Sequence, residues 1–251
     1  MRGSTEWLAL HGERAAVWVV LVAVLLGATI VLSGGLPFDG GESDQRDRIE
    51  VEQTSEGGYV LTPADGNSER GLVFYPGGRV PPEAYVSSLA PLAREANTTV
   101  AIVKMPLNLA VLDQNAADRV LSRNDEIDRW YVGGHSLGGA MACRYASDRP
   151  QRVSGVVLFA AYCDRSIAET TLRVLSVRGE ADAVLDIDAY ERNRVNLPNG
   201  TSYRVLPGVN HSQFGNYTDQ RGDRASGTPY ELAHRRLAEA VVPWFSNETD
   251  A

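Results

Sequence analysis

The apolar run Trp130-Tyr131-Val132-Gly133, followed at once by Gly134-His135-Ser136-Leu137-Gly138-Gly139, constrains this chain more than any other feature. A buried strand that delivers a serine with glycine two residues before and two after reads as a sharp strand-to-helix turn. The serine must take a strained backbone conformation, and the glycines remove side chains that would block the close crossing of strand and helix. Its hydroxyl then stands at the end of a sheet, beside the free N–H groups of the next helix's first turn. G-x-S-x-G is short enough to arise by chance as an ordinary glycine-rich turn, so its flanks decide. Ala140 to Ala146 is helix-forming and stops before Pro150, which cannot continue the hydrogen-bond ladder. Val153 to Ala160 is a β-branched apolar run suited to a parallel strand covered on both faces. Strand, turn, helix, strand is the arrangement the motif requires.

The remaining chain repeats that alternation. Ile49 to Gln53 and Gly58 to Thr62 alternate polar and apolar residues, as two antiparallel edge strands joined by a Ser-Glu-Gly-Gly turn would. Gly71 to Tyr75 is the first fully apolar strand, followed by Pro76-Gly77-Gly78-Arg79 and a helix that starts near Pro82 and covers Ala84 to Asn97. Further strands are expected at Thr99 to Val103, Leu172 to Val177 and Ser202 to Leu206. Helices are expected at Ala116 to Asn124, Ile187 to Val195 and Pro229 to Phe245. Strands alternating with helices after an antiparallel start predict an α/β fold, a mostly parallel sheet with helices on both faces. Sites in such sheets lie at the carboxyl ends of the strands.

Ala15 to Leu32 carries no charge and shows no polar face, near the minimum length for crossing ~30 Å of hydrocarbon. Arg2 and Arg14 precede it, and Asp39, Glu42 and Asp44 follow, which orients the N-terminus to the cytoplasm. The choice is between an uncleaved signal anchor and a removed signal peptide, and the absence of a clear small-x-small cleavage site favours the anchor. The expected organisation is a cytoplasmic N-terminus over 1–14, a transmembrane anchor over 15–33, a linker over 34–47, one extracytoplasmic α/β domain over 48–246 and a tail over 247–251. Five N-x-S/T sequons, at Asn97, Asn199, Asn210, Asn216 and Asn247, fit an exported domain. Cys143 and Cys163 are the only cysteines; a disulfide between them and two buried thiols are both open. A net charge of −8 with no basic stripe excludes a nucleic-acid phosphate binder, and the single lysine, Lys104, in so acidic a chain suggests tolerance of salt.

A serine hydroxyl needs a base, and an orienting carboxylate behind it, to act as a nucleophile. Of four histidines, His11 precedes the membrane segment, His135 adjoins the serine on a turn that points neighbouring side chains apart, and His234 falls on the terminal helix. His211 follows the last strand on a loop, Pro207-Gly208-Val209-Asn210, and is the expected base. For the acid, Asp182 sits just past the strand Leu172 to Val177, in the chain order Ser, Asp, His. Glu180, Asp186, Asp188 and, one strand earlier, Asp164 compete with it. Two N–H donors should face the developing oxyanion: Leu137, from the turn itself, and Gly78, with Arg79 as the neighbouring alternative. No metal-ligand spacing and no lysine-bearing phosphate loop occurs, so neither metal nor cofactor is implied.

Taken together, Tyr75-Pro76-Gly77-Gly78, Met105-Pro106-Leu107-Asn108, the Gly134 to Gly139 turn, Gly179-x-x-Asp182 and Asn210-His211-x-Gln213-Phe214-Gly215 resemble the small lidless branch of the alpha/beta-hydrolase superfamily. The resemblance covers roughly Ile49 to Phe245. It implies a sheet of the eight-stranded type, a triad of Ser136, Asp182 and His211, and hydrolysis of esters or related acyl compounds. Pro76 stands where many relatives carry histidine, which bears on the second oxyanion donor. The chain has no insertion long enough for a cap, so an open pocket is expected, with Gln213 to Thr228 as its movable wall. Thioester or amide cleavage would use the same residues. A catalytically silent binding module on the same scaffold is the rival of a different class, disfavoured because all three triad candidates are present at strand ends.

Overall fold

A computed structural model of the chain describes residues 49–66, 68–218 and 220–247. The expected anchor and linker lie outside these residues; among the described residues no helix is long and apolar enough to cross a membrane. Eight strands form one sheet: β1 (Ile49–Gln53), β2 (Tyr59–Pro63), β3 (Arg70–Tyr75), β4 (Thr98–Ile102), β5 (Arg129–His135), β6 (Gly155–Phe159), β7 (Arg173–Gly179) and β8 (Ser202–Leu206). Their order is β1-β2-β4-β3-β5-β6-β7-β8. β1 and β2 pair antiparallel, as does β2 with β4, while every pairing from β4 through β3 to β8 is parallel. The helices are α1 (Val86–Ala96), α2 (Ala116–Leu121), α3 (Leu137–Asp148), α4 (Ile187–Arg192) and α5 (Tyr230–Ser246).

Side chains alternate across the sheet because strand residues have a period of two. Leu72, Phe74, Tyr131, Phe159 and Val177 point to the face covered by α1 and α5, which contribute Leu89, Leu92, Leu237 and Phe245. Val73, Tyr75, Val132, Leu158 and Val174 point to the other face, covered by α2 and α3 through Leu121, Met141, Ala142 and Tyr145. Each central strand is therefore apolar along its whole length, which is why these segments read as continuous hydrophobic runs.

Helix ends are secured by specific partners. Trp244 and Phe245, in the last turn of α5, leave their carbonyls without intrahelical donors. Arg173 Nη2 donates to the Trp244 carbonyl at 2.9 Å while its guanidinium lies 4.4 Å from the Trp244 ring centre. Arg70 Nη1 donates to the Phe245 carbonyl at 2.9 Å. These cations meet the negative end of the helix dipole at the amino ends of β3 and β7, the end of the sheet opposite the serine turn. Cys143 on α3 and Cys163 beyond β6 are joined in a disulfide, both fully buried.

Most expected elements appear within one or two residues. The helix expected from Ala84 begins instead at Val86, because Pro82–Tyr85 winds as a 3₁₀ turn. α4 likewise passes into a 3₁₀ turn at Asn193.

Candidate active site

At the carboxyl end of β5 the chain reverses through Ser136, whose φ of 52° and ψ of −123° few side-chain-bearing residues adopt. The turn is possible because the chain crosses itself at glycine. A Cβ on Gly134 would sit 2.6 Å from the Gly138 carbonyl carbon and from the Tyr75 carbonyl oxygen. One on Gly138 would run into the Tyr75 and Pro76 carbonyls. Ser136 N–H is held by the Phe159 carbonyl at 2.9 Å, which ties the turn to β6. α3 begins at Leu137, directly after the serine, with no side-chain cap on its first turn. The Leu137 N–H is thus one of the donors a helix start leaves without an intrahelical partner.

The opposite side of the site comes from the ends of β7 and β8, whose ladder continues past the strands. Glu180 N–H donates to the Leu206 carbonyl and Ala181 N–H to the Val209 carbonyl, at 2.9 and 3.0 Å. This lays the two loops side by side and brings Asp182 to His211. His211 Nδ1 is 2.8 Å from Asp182 Oδ2, with the two side chains 3% and 1% exposed. Asp182 Oδ1 accepts N–H groups from Val184 at 2.8 Å and Leu185 at 2.9 Å. Burial alone would raise the Asp182 carboxyl. The His211 hydrogen bond and charge, with the Leu185 and Val184 amides, more than offset it and hold the group below the ordinary carboxylate value. An ionised carboxylate only accepts, so His211 Nδ1 carries a proton toward it, and in the neutral imidazole Nε2 is the acceptor nitrogen. His211 and Ser136 open onto the same cavity of about 430 Å³, whose walls include Leu137, Met141, Tyr162 and Leu185.

The other carboxylates have different partners. Glu180 Oε2 accepts the Gly208 N–H at 3.1 Å and shapes the turn before His211. Asp186 caps α4 by accepting the Ala189 N–H at 2.9 Å. Asp188 is exposed. Asp164 is engaged on two of its oxygens by Arg144 at the mouth of the cavity. Asp182 is the carboxylate that meets the His211 ring.

In the loop after β3, Gly77 N–H donates to the Tyr85 hydroxyl at 3.0 Å. Arg79 N–H donates to the Asn108 carbonyl at 2.7 Å, and Val80 N–H to the Gly77 carbonyl at 3.0 Å. Gly78 N–H is the amide of this loop with no acceptor among the described residues. The loop abuts the helix start: a Cβ on Gly78 would lie 3.2 Å from Leu137 Cδ2. Arg79 is thereby set aside as the alternative donor, since its N–H is already engaged.

Three participants carried no signal in the sequence. Asp223 accepts the His211 N–H at 3.2 Å and the Ser212 N–H at 2.8 Å, bracing the His211 backbone from a loop twelve residues on. Tyr85, at the end of the 3₁₀ turn before α1, contacts the loop after β3. His234, which the sequence places on the terminal helix, is half-buried with Nε2 3.0 Å from the Gly215 carbonyl. The segment from Gln213 to Thr228 differs from expectation: Gln213 is buried, and Asn210 and Gln213 donate to the Arg224 and Thr228 carbonyls at 2.6 Å each. It lines none of the cavity beside Ser136, which is walled instead by the loops after β6 and β7. Among the described residues no cluster of His, Cys, Asp and Glu could hold a metal ion.

Comparison with known proteins agrees with this architecture. Residues 71–234 match the model of the Alpha/beta hydrolase family. Cutinase est2 of Thermobifida alba is 28% identical over 107 residues, a match that spans 41% of this chain and 36% of that protein. The esterase domain of a Rhodothermus marinus protein superimposes with a TM-score of 0.57 at 16% identity, over 78% of this chain and 96% of that domain. That likeness is one of fold.

Proposed function

The chain belongs to the alpha/beta hydrolase family as an esterase-like hydrolase, and on that premise we propose that it cleaves carboxylic esters by acyl transfer through Ser136. In the proposed reaction His211 Nε2 takes the Ser136 proton as Oγ attacks the ester carbonyl. Gly78 and Leu137 N–H groups bind the tetrahedral oxyanion, and His211 returns the proton to the leaving alcohol. Water, activated by the same imidazole, then releases the acid. Asp182 fixes the Nδ1–H tautomer and stabilises the imidazolium that forms. The observation that carries this reading is the buried His211–Asp182 pair opening onto the same cavity as the strained serine. Among the described residues the cavity walls include Met141 and Leu185, and besides the His211 imidazole their one basic group is Arg144, itself held by Asp164, which suits an uncharged acyl group.

The reading includes location. The uncharged stretch from Ala15 to Leu32, with arginines before it and acids after, supports an anchor that leaves the hydrolase domain outside the cytoplasm. The disulfide between Cys143 and Cys163 supports the same placement, since such bonds persist in oxidising compartments. One experiment addresses both points: intact and lysed cells producing the protein or Ser136→Ala are given a membrane-impermeant chromogenic ester. Hydrolysis by intact cells that vanishes with Ser136→Ala is expected. Hydrolysis in lysate alone would refute the location, and none in either would refute the esterase.

A further inference from the structure

Resting on the reading of Ser136 and His211 as nucleophile and base, we propose that Tyr85 and His135 are positioning residues that hold the oxyanion loop and the base in a single register. The link is a hydrogen-bonded chain from the Gly77 N–H, through the Tyr85 hydroxyl, to the His135 ring packed against His211. Both side chains are fully buried. The Tyr85 hydroxyl accepts the Gly77 N–H at 3.0 Å and lies 2.9 Å from His135 Nδ1. The His135 ring centre is 4.4 Å from that of His211, and on its other contacts it stacks on Phe214 at 5.5 Å.

The proton inventory gives the chain a direction. A phenol has one hydrogen to donate, and Tyr85 Oη already accepts from Gly77. If His135 Nδ1 is the acceptor, the phenolic proton is used and the imidazole hydrogen sits on Nε2, the one polar site of the chain left short of a partner. The opposite tautomer would leave two groups short in a buried site, the phenolic proton and the bare Nε2, which costs more free energy. Burial first, and His211 second, hold the His135 imidazole well below its ordinary range, so the ring is neutral and places no competing charge behind the base. Burial likewise keeps the Tyr85 phenol protonated.

Packing alone does not explain these two residues. His135 Nε2 is buried with no partner at good hydrogen-bond geometry, and the nearby His211 backbone offsets only part of the cost of burial, an expense a phenyl ring at the same place would not incur. Tyr85 packs on Phe74 with ring centres 5.1 Å apart, a contact phenylalanine would make equally well. What the polar atoms add is control of the loop. The Gly77 N–H is turned inward by Tyr85 and the Arg79 N–H is pinned by the Asn108 carbonyl, so the Gly78 N–H is held between two fixed points. The same Tyr85 hydroxyl reaches the ring that backs His211.

Tyr85→Phe isolates the hydroxyl while keeping the aromatic packing. The expected result is a cooperatively folded variant whose kcat falls about 10- to 100-fold with KM within about twofold, less than the loss from deleting an oxyanion donor outright. The rate of Ser136 phosphonylation by a small alkyl fluorophosphonate should fall in the same proportion, because it draws on the same donors. A folded Tyr85→Phe with wild-type kcat, or with a change in KM alone, would overturn the proposal. So would a variant that has lost its cooperative melt, which would assign the hydroxyl to folding. Wild type run in the same assay separates the two levels: an inactive wild type refutes the underlying esterase reading, and an active one matched by Tyr85→Phe refutes this inference alone.

Discussion

Replacing His211 by alanine is expected to lower kcat by roughly 10⁴- to 10⁶-fold while KM changes little. The base is needed only as Oγ attacks and the leaving group departs, so its loss removes an interaction made in the transition state rather than one that binds substrate. The fold should survive at a cost of about 1–3 kcal/mol, the range for leaving a buried polar group short of a partner. Asp182 keeps its two amide donors from Val184 and Leu185, and Asp223 still holds the backbone of this loop through Ser212. Steady-state kinetics on a chromogenic ester, with a thermal melt on the same sample, checks both parts. A variant within tenfold of wild-type kcat would remove His211 from its proposed role.

Asp182→Asn should be nearly as damaging, lowering kcat by about 10⁴-fold with the architecture of the site intact. The two side chains have the same shape, but a carboxylate can only accept from His211 Nδ1, whereas an amide can also donate to it. Donation from asparagine would put the imidazole proton on Nε2, where it can no longer receive one from Ser136. The pH dependence of the wild type follows from the direction of the Asp182 shift. Because the folded-state value lies below the ordinary 3.8, the stability this carboxylate contributes is fully present above that unfolded value. It is lost only as pH falls through the lower folded value. Asp182 therefore stays ionised above about pH 4, and no step of the pH–rate profile above that point belongs to it. Asp182→Asn with kcat within tenfold of wild type would show that the carboxylate does not set the tautomer.

The residues that carried the sequence reading are those whose chemistry is local. A serine between two spaced glycines after an apolar strand specifies its own turn, and Ser136 sits in that conformation. That Asp182 and His211 meet is legible because each follows a strand closely and strand ends converge in a parallel sheet. What was not legible depends on pairings between distant segments. Nothing in Tyr59–Pro63 announces that it pairs with β4 rather than with β3, its neighbour in sequence. The partner of Glu180, a competitor of Asp182 in the sequence, is the turn at Gly208, while Asp182 meets the imidazole. Asp223 and Tyr85 act through backbone amides, and any residue can present an amide, so no residue type flags the partner. The same holds for Gln213 to Thr228, whose polar composition reads as a mobile wall although its carbonyls are tied to Asn210 and Gln213.

The central claim is that one serine hydroxyl is activated, and covalent capture reads it without a substrate having to be known. Intact-mass and peptide analysis after exposure to a small alkyl fluorophosphonate should show one phosphonyl group per chain, on Ser136, absent from Ser136→Ala and slowed by orders of magnitude in His211→Ala. Folded wild-type protein that takes up no phosphonyl group, or carries it on a residue other than Ser136, would contradict the account.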